Sequence, residues 1–127
     1  AAMVNAGGDV VVCGQPEPGR PWRVGIRDPD DSSRCLCVVS TSAAVATSGT
    51  YERGAHVLDP HTGRPARGAV AATVAGPDLA LADALATGLL AAGATGMTEV
   101  VRLPGYSALI IGTDGSPVSS EDFPVAA

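Results

Sequence analysis

Asp78-Leu79-Ala80-Leu81-Ala82-Asp83-Ala84-Leu85-Ala86-Thr87-Gly88-Leu89-Leu90-Ala91-Ala92-Gly93 is the stretch on which the fold turns. Ala and Leu dominate it, and both are strong helix formers. Asp78 is placed to cap its start and Gly93 to stop it, so the sequence predicts a helix over Asp78–Ala92. Leu81, Leu85 and Leu89 recur at i, i+4 spacing and are expected to form its apolar stripe. Asp83 is the single charge from Leu79 to Ala92. Thr87 lies one turn further on the same face as Asp83, expected on the side opposite the leucines.

Outward from this helix the sequence reads as strands. Met3 to Val12 is a strand pattern interrupted at Asn5-Ala6-Gly7-Gly8, where paired glycines predict a bulge or a close approach to the backbone. Trp22 to Ile26 alternates and ends at the Asp28-Pro29 turn, and Arg34 to Ser40 is a further strand. Ser42 to Ala46 is short and apolar, and Thr47-Ser48-Gly49 is expected to break it. Ala55 to Leu58 precedes the turn Asp59-Pro60-His61-Thr62-Gly63. Ala69 to Val74 is a strand, a short helical turn is expected at Thr98 to Arg102, and Tyr106 to Ile111 leads to a hairpin turn at Asp114-Gly115. The tail from Ser119 is expected to be loosely held. The pattern is α+β, a mainly antiparallel sheet with one long helix packed on a face.

The 127 residues are one domain's worth, with 46 % hydrophobic and 17 % charged residues, which excludes a disordered chain. Aromatic residues are only 3 %, so Ala, Val and Leu must fill the core. The basic residues are all Arg, and the net charge of -5 argues against a nucleic-acid or anionic-membrane surface. No run of about 18 uncharged apolar residues is present, so no transmembrane segment is expected. The chain opens at Ala1 without a signal-peptide pattern and is expected to be a piece of a longer protein. Cys35 and Cys37, two apart on a strand, are expected on one face as a poor disulfide pair; with Cys13 they are expected to be buried small apolar residues.

Several groupings could carry chemistry. Asp83 and Thr87 can offer two oxygens to a hard cation such as Mg2+; an incidental Asp on an Ala-rich surface has the same pattern. His56 and Asp59 bracket a turn, and a histidine near a carboxylate is a general acid/base arrangement; a turn closed by Asp59 alone looks the same. Gly7-Gly8-Asp9 and Thr47-Ser48-Gly49 could cradle phosphate oxygens with backbone N–H groups, or be ordinary turns. Trp22 and Tyr51 could stack on a planar ligand or fill the core.

The order of these segments is informative. Asn-Ala-Gly-Gly-Asp (5–9), Trp-Arg-Val-Gly-Ile-Arg-Asp-Pro (22–29), Ala-Thr-Ser-Gly-Thr-Tyr-Glu-Arg (46–53), His-Val-Leu-Asp-Pro-His-Thr-Gly-Arg-Pro (56–65) and Ala-Asp-Ala-Leu-Ala-Thr (82–87) follow one another. The series resembles the C-terminal half of the ApbE family, the FAD:protein FMN transferases formerly called thiamine-biosynthesis lipoproteins. The resemblance covers roughly residues 3 to 115. It implies an α+β fold, the T-fold, and the binding of FAD with Mg2+. It implies transfer of the FMN half to a Ser or Thr hydroxyl of a target flavoprotein, with release of AMP. By position, Asp83 and Thr87 match the metal-binding Asp and Thr, and His56 matches the catalytic base, with Asp59 beside it. Gly7, Gly8, Asp9, Thr47, Ser48, Gly49 and Tyr51 match segments that line the flavin and pyrophosphate.

The family's upstream half, with its Asp-x-Gly-x-x-x-Lys-Gly segment, is not in this sequence, and Gly88 stands where Ala is usual. Alternatives of other kinds are a noncatalytic flavin- or Mg2+-binding module and a hydrolase splitting FAD into FMN and AMP. Many family members are exported lipoproteins, and such a signal would lie upstream of Ala1, so the compartment stays open. Without a partner half to cover it, the chain is expected to expose an apolar face and form a homodimer.

Overall fold

The structure is a computed structural model that describes residues 1–53 and 56–127. Its main sheet is antiparallel and six-stranded, in the order β1-β2-β5-β6-β7-β8. The strands are β1 (Ala2–Ala6), β2 (Asp9–Cys13), β5 (Ala44–Gly49), β6 (Ala71–Gly76), β7 (Ser107–Ile111) and β8 (Pro117–Ser119). A separate hairpin pairs β3 (Trp22–Arg27) with β4 (Cys35–Thr41). The helices are α1 (Thr50–Arg53), α2 (Leu79–Ala92) and α3 (Met97–Val101). This is the expected α+β architecture, with one layer more: α2 covers one face of the sheet and the β3–β4 hairpin covers the other.

Asp78 caps α2 as its sequence predicts, its carboxylate accepting the Leu81 N–H at 2.8 Å, and Gly93 ends the helix with φ 68°. The expected apolar stripe holds at Leu89, which is buried, and at Leu85, which packs against the core, but not at Leu81. Leu81 is 40 % exposed, and the buried face is Ala82, Ala86, Leu89 and Leu90. The sheet beneath carries Ala46, Ala72, Val74 and Ala108. Small residues on both surfaces let helix and strands approach closely, so the Ala face wins over the bulkier Leu81 side. That rotation brings Asp83 and Thr87 to the flank of α2 beside β5, not to the side facing away from the sheet. By length and mean hydropathy, 1.4, the run Leu79–Val101 could cross a bilayer; here it is broken at Gly93 into helices that pack on the sheet.

On the other face, Val24, Ile26 and Val39 of the hairpin meet Val10, Val12, Val45, Leu109 and Ile111 of the sheet. The C-terminal tail is not loose. Phe123 is buried in this layer, the Ala126 N–H donates to the Val38 carbonyl at 2.7 Å, and the Ser40 N–H donates to the Pro124 carbonyl at 2.8 Å. An apolar Phe and the free edge of β4 together hold a segment whose composition reads as a tail.

A bulge at Ile26/Arg27 resets the cysteines. Cys37 stands opposite buried Ile26, whereas Cys35 stands opposite exposed Arg27, so the two point to opposite faces rather than one. Cys13 and Cys35 are exposed and Cys37 is half-buried, which corrects the expectation of three buried thiols. The Gly7-Gly8 break is not a bulge. Both residues have positive φ, 68° and 106°, and they close the β1–β2 hairpin as a two-residue turn, with the Gly8 N–H donating to Asn5 Oδ1 at 3.0 Å. The expected strand from Ala55 to Leu58 lies partly outside the described residues; Leu58 makes an isolated bridge to Pro65.

Candidate functional site

Strand β5 is the spine of the site. Thr47-Ser48-Gly49 does not break the strand but completes it, pairing with Thr73, Ala72 and Ala71 of β6. A run of small polar residues reads locally as a turn; pairing along a central strand overrides that tendency. Alternation then sends Ser48 toward α2 and Thr47 toward the hairpin layer. Ser48 Oγ lies 3.1 Å from Thr87 Oγ1, tying the strand to the helix flank. The Thr47 N–H donates to Asp9 Oδ1 at 3.3 Å, and Thr47 Oγ1 lies 3.0 Å from Thr73 Oγ1.

These contacts line a cavity of about 670 Å³ bounded by Gly7, Asp9, Thr47, Ser48, Gly49, His56, Val57, Leu58, Asp83 and Thr87. The candidate metal pair Asp83/Thr87, the candidate base His56 and most of the candidate flavin-lining residues therefore face one space. Gly8 and Tyr51 line a neighbouring cavity of about 400 Å³ with Asn5, Val10, Val24, Gly25, Ile26 and Arg27. The two cavities share Gly7 and Thr47.

Asp59 is not brought to this space. Its Oδ1 accepts the His61 N–H at 2.8 Å and its carbonyl accepts the Gly63 N–H at 2.8 Å, so it shapes the turn that follows His56. Gly49 has a further role: a Cβ there would collide with the edge of the Tyr51 ring, so glycine lets that ring pack across the strand end. Sequence reasoning missed Val57 and Leu58, which wall the larger cavity, and Arg27, Asn5 and Gly25, which wall the smaller. All five stand inside the segments named above, but no spacing rule links them to β5: the β1–β2–β5 pairing brings Asn5 there, and the packing of the hairpin across the sheet brings Gly25 and Arg27.

The formal charges that the described residues bring to the larger cavity are carboxylates. These are Asp9 and Asp83, and no Arg is among the described lining residues. Beside these carboxylates a cation favours an anionic ligand. Asp83, Thr87 and Ser48 supply oxygen donors only, a set suited to a hard divalent ion that keeps ligand oxygens and waters in its shell. Among the described residues no cluster of three His, Cys, Asp or Glu side chains could hold a metal by itself.

Residues 1–110 match the ApbE family. The chain belongs to the ApbE family. It is 40 % identical over 125 residues to the FAD:protein FMN transferase of Rhodobacter capsulatus, covering 91 % of this chain and 24 % of that protein. It is 35 % identical over 124 residues to the FAD:protein FMN transferase of Salmonella typhimurium, covering 89 % of this chain and 35 % of that protein. Its fold matches the crystal structure of the ApbE protein of Thermotoga maritima with a TM-score of 0.81 and 37 % identity, over 94 % of this chain and 42 % of that one. The flavin transferase ApbE of Vibrio cholerae matches with a TM-score of 0.77 and 34 % identity, over 95 % of this chain and 42 % of that one. The chain thus spans between 24 % and 42 % of the length of these ApbE proteins. Every residue that lines the larger cavity falls within the ApbE match.

Proposed function

We propose that this chain carries the Mg2+ site and part of the flavin site of an FAD:protein FMN transferase. The observation that carries the reading is the convergence of Asp83 and Thr87 with Asp9, Thr47, Ser48 and His56 on one cavity. The donor chemistry supports it: the oxygen donors Asp83, Thr87 and Ser48 suit a hard divalent ion and leave room in its shell for pyrophosphate oxygens.

Asp83 and Thr87 would hold the ion, with Ser48 steadying the Thr87 hydroxyl. When bound, Mg2+ neutralises pyrophosphate charge as it builds up in transfer. Gly7 and Thr47 border the space for the dinucleotide, and Tyr51 closes its hairpin side. His56 is exposed at the rim, where it accepts the proton of an incoming Ser or Thr hydroxyl on the acceptor protein. The hydroxyl oxygen bonds to the phosphorus of the FMN half, and the bond from that phosphorus to the bridging oxygen breaks. The products are a phosphoester-linked FMN and AMP.

The test uses the complete natural chain with FAD, Mg2+ and an apo-flavoprotein acceptor from the same host. The expected result is flavin fluorescence on the denatured acceptor together with AMP in equal amount. Free FMN and AMP with an unlabelled acceptor would support the hydrolase reading instead. Intact FAD under all conditions would remove the catalytic reading.

A further inference from the structure

Thr73 is 2 % exposed in a layer formed by Val45, Ala71, Ala75 and Leu109, and it lines neither cavity. Its side chain has one partner among the described residues, Thr47 Oγ1 at 3.0 Å. Either oxygen could donate by distance alone, but their surroundings differ. If Thr47 donated, the Thr73 proton would be left in an apolar layer without an acceptor, a costly arrangement for a buried hydroxyl. Thr47 is half-exposed and borders both cavities, so its own proton has other places to go. Thr73 therefore donates, Thr47 Oγ1 accepts, and the Thr47 proton turns outward.

We propose that Thr73 is a positioning residue that makes the Thr47 hydroxyl a donor, aimed at an acceptor oxygen or nitrogen of the flavin dinucleotide where the two cavities meet. This rests on the flavin reading above. The pair is fixed by register, because Thr47 and Thr73 are direct cross-strand partners of β5 and β6. Without Thr73, Thr47 gains rotamers in which it offers lone pairs to the ligand.

Thr73→Val keeps the shape and removes the donor; Thr73→Ser keeps the donor. In the complete natural chain, FAD affinity is read by quenching of flavin fluorescence with Mg2+ present, and folding by the thermal midpoint. Thr73→Val is expected to weaken FAD binding about tenfold, the scale of one well-placed hydrogen bond, without lowering the thermal midpoint. Thr73→Ser is expected to bind within about twofold of wild type. The double variant Thr47→Val/Thr73→Val is expected to bind no more weakly than Thr47→Val alone, because Thr73 acts through Thr47. Wild-type affinity in Thr73→Val, equal losses in Thr73→Ser and Thr73→Val, or additive losses in the double variant would each overturn the inference while leaving the flavin reading standing. A wild-type protein that fails to quench flavin would remove that reading, and this inference with it.

Discussion

Ser48 Oγ and Thr87 Oγ1 lie 3.1 Å apart, the one side-chain hydrogen bond among the described residues that joins the central strand β5 to the helix α2 at the cavity wall. It fixes the Thr87 hydroxyl one turn beyond Asp83 on the same flank. Ser48→Ala is expected to weaken Mg2+-dependent FAD binding about tenfold by freeing that hydroxyl. The thermal midpoint should barely move, since an exposed hydroxyl pair contributes little net stability. An unchanged Mg2+ requirement, measured by titrating the ion at fixed FAD, would show that Ser48 does not support the site.

Gly88 sits on the open side of α2, where an added Cβ meets nothing within 4 Å. Gly88→Ala is expected to stabilise the fold by about 1 kcal/mol through helix propensity alone. Chemical denaturation should show the midpoint rising with an unchanged slope, and FAD affinity should stay the same. A loss of stability would mean that the α2 backbone at Gly88 is not regular helix.

The bulge at Ile26/Arg27 separates the thiols by face. Burial pushes the Cys37 thiol above its ordinary pKa, with the neighbouring Cys35 adding to the effect. Alkylation at mildly alkaline pH is expected to modify exposed Cys13 and Cys35 first and Cys37 last, because thiolate and access both set the rate. Peptide mass mapping over a time course reads the order. Cys37 reacting as fast as Cys35 would place both on one face.

Strand β1 is an outer edge of the sheet, exposed along its whole length, with Met3 38 % and Val4 60 % exposed. The 127-residue chain alone is expected to self-associate through this edge, and Val4→Lys to shift it toward monomer. Sedimentation at micromolar concentration decides; a monomeric wild type would remove the dimer.

Much of the fold was legible because its signals are local. Asp78 and Gly93 bound α2 in sequence as they do in space, and Asp114-Gly115 closes β7 onto β8. What failed was decided at long range. Leu81 reads as core by spacing, yet the alanines of the sheet select the Ala82/Ala86 face. Thr47-Ser48-Gly49 reads as a turn until β6 pairs with it. Phe123 is a lone aromatic in a polar tail until the uncovered hairpin layer receives it. The site follows the same rule. Asp83 and Thr87 were visible as a helical pair, and the resemblance placed His56 and Thr47 with them. Thr73, one strand further in, carries no local mark of its bond to Thr47.

Asp83 and Thr87 are proposed to hold a divalent cation against the charge of a bound flavin dinucleotide. The most direct measurement is an FAD titration of the complete natural chain with Mg2+ and with EDTA, repeated for Asp83→Asn. Tight binding is expected only for wild type with Mg2+, with a drop of about tenfold or more on chelation or on Asp83→Asn. The variant should keep its thermal midpoint, because Asp83 is exposed on the flank of α2. Equal affinity under all three conditions would contradict the account.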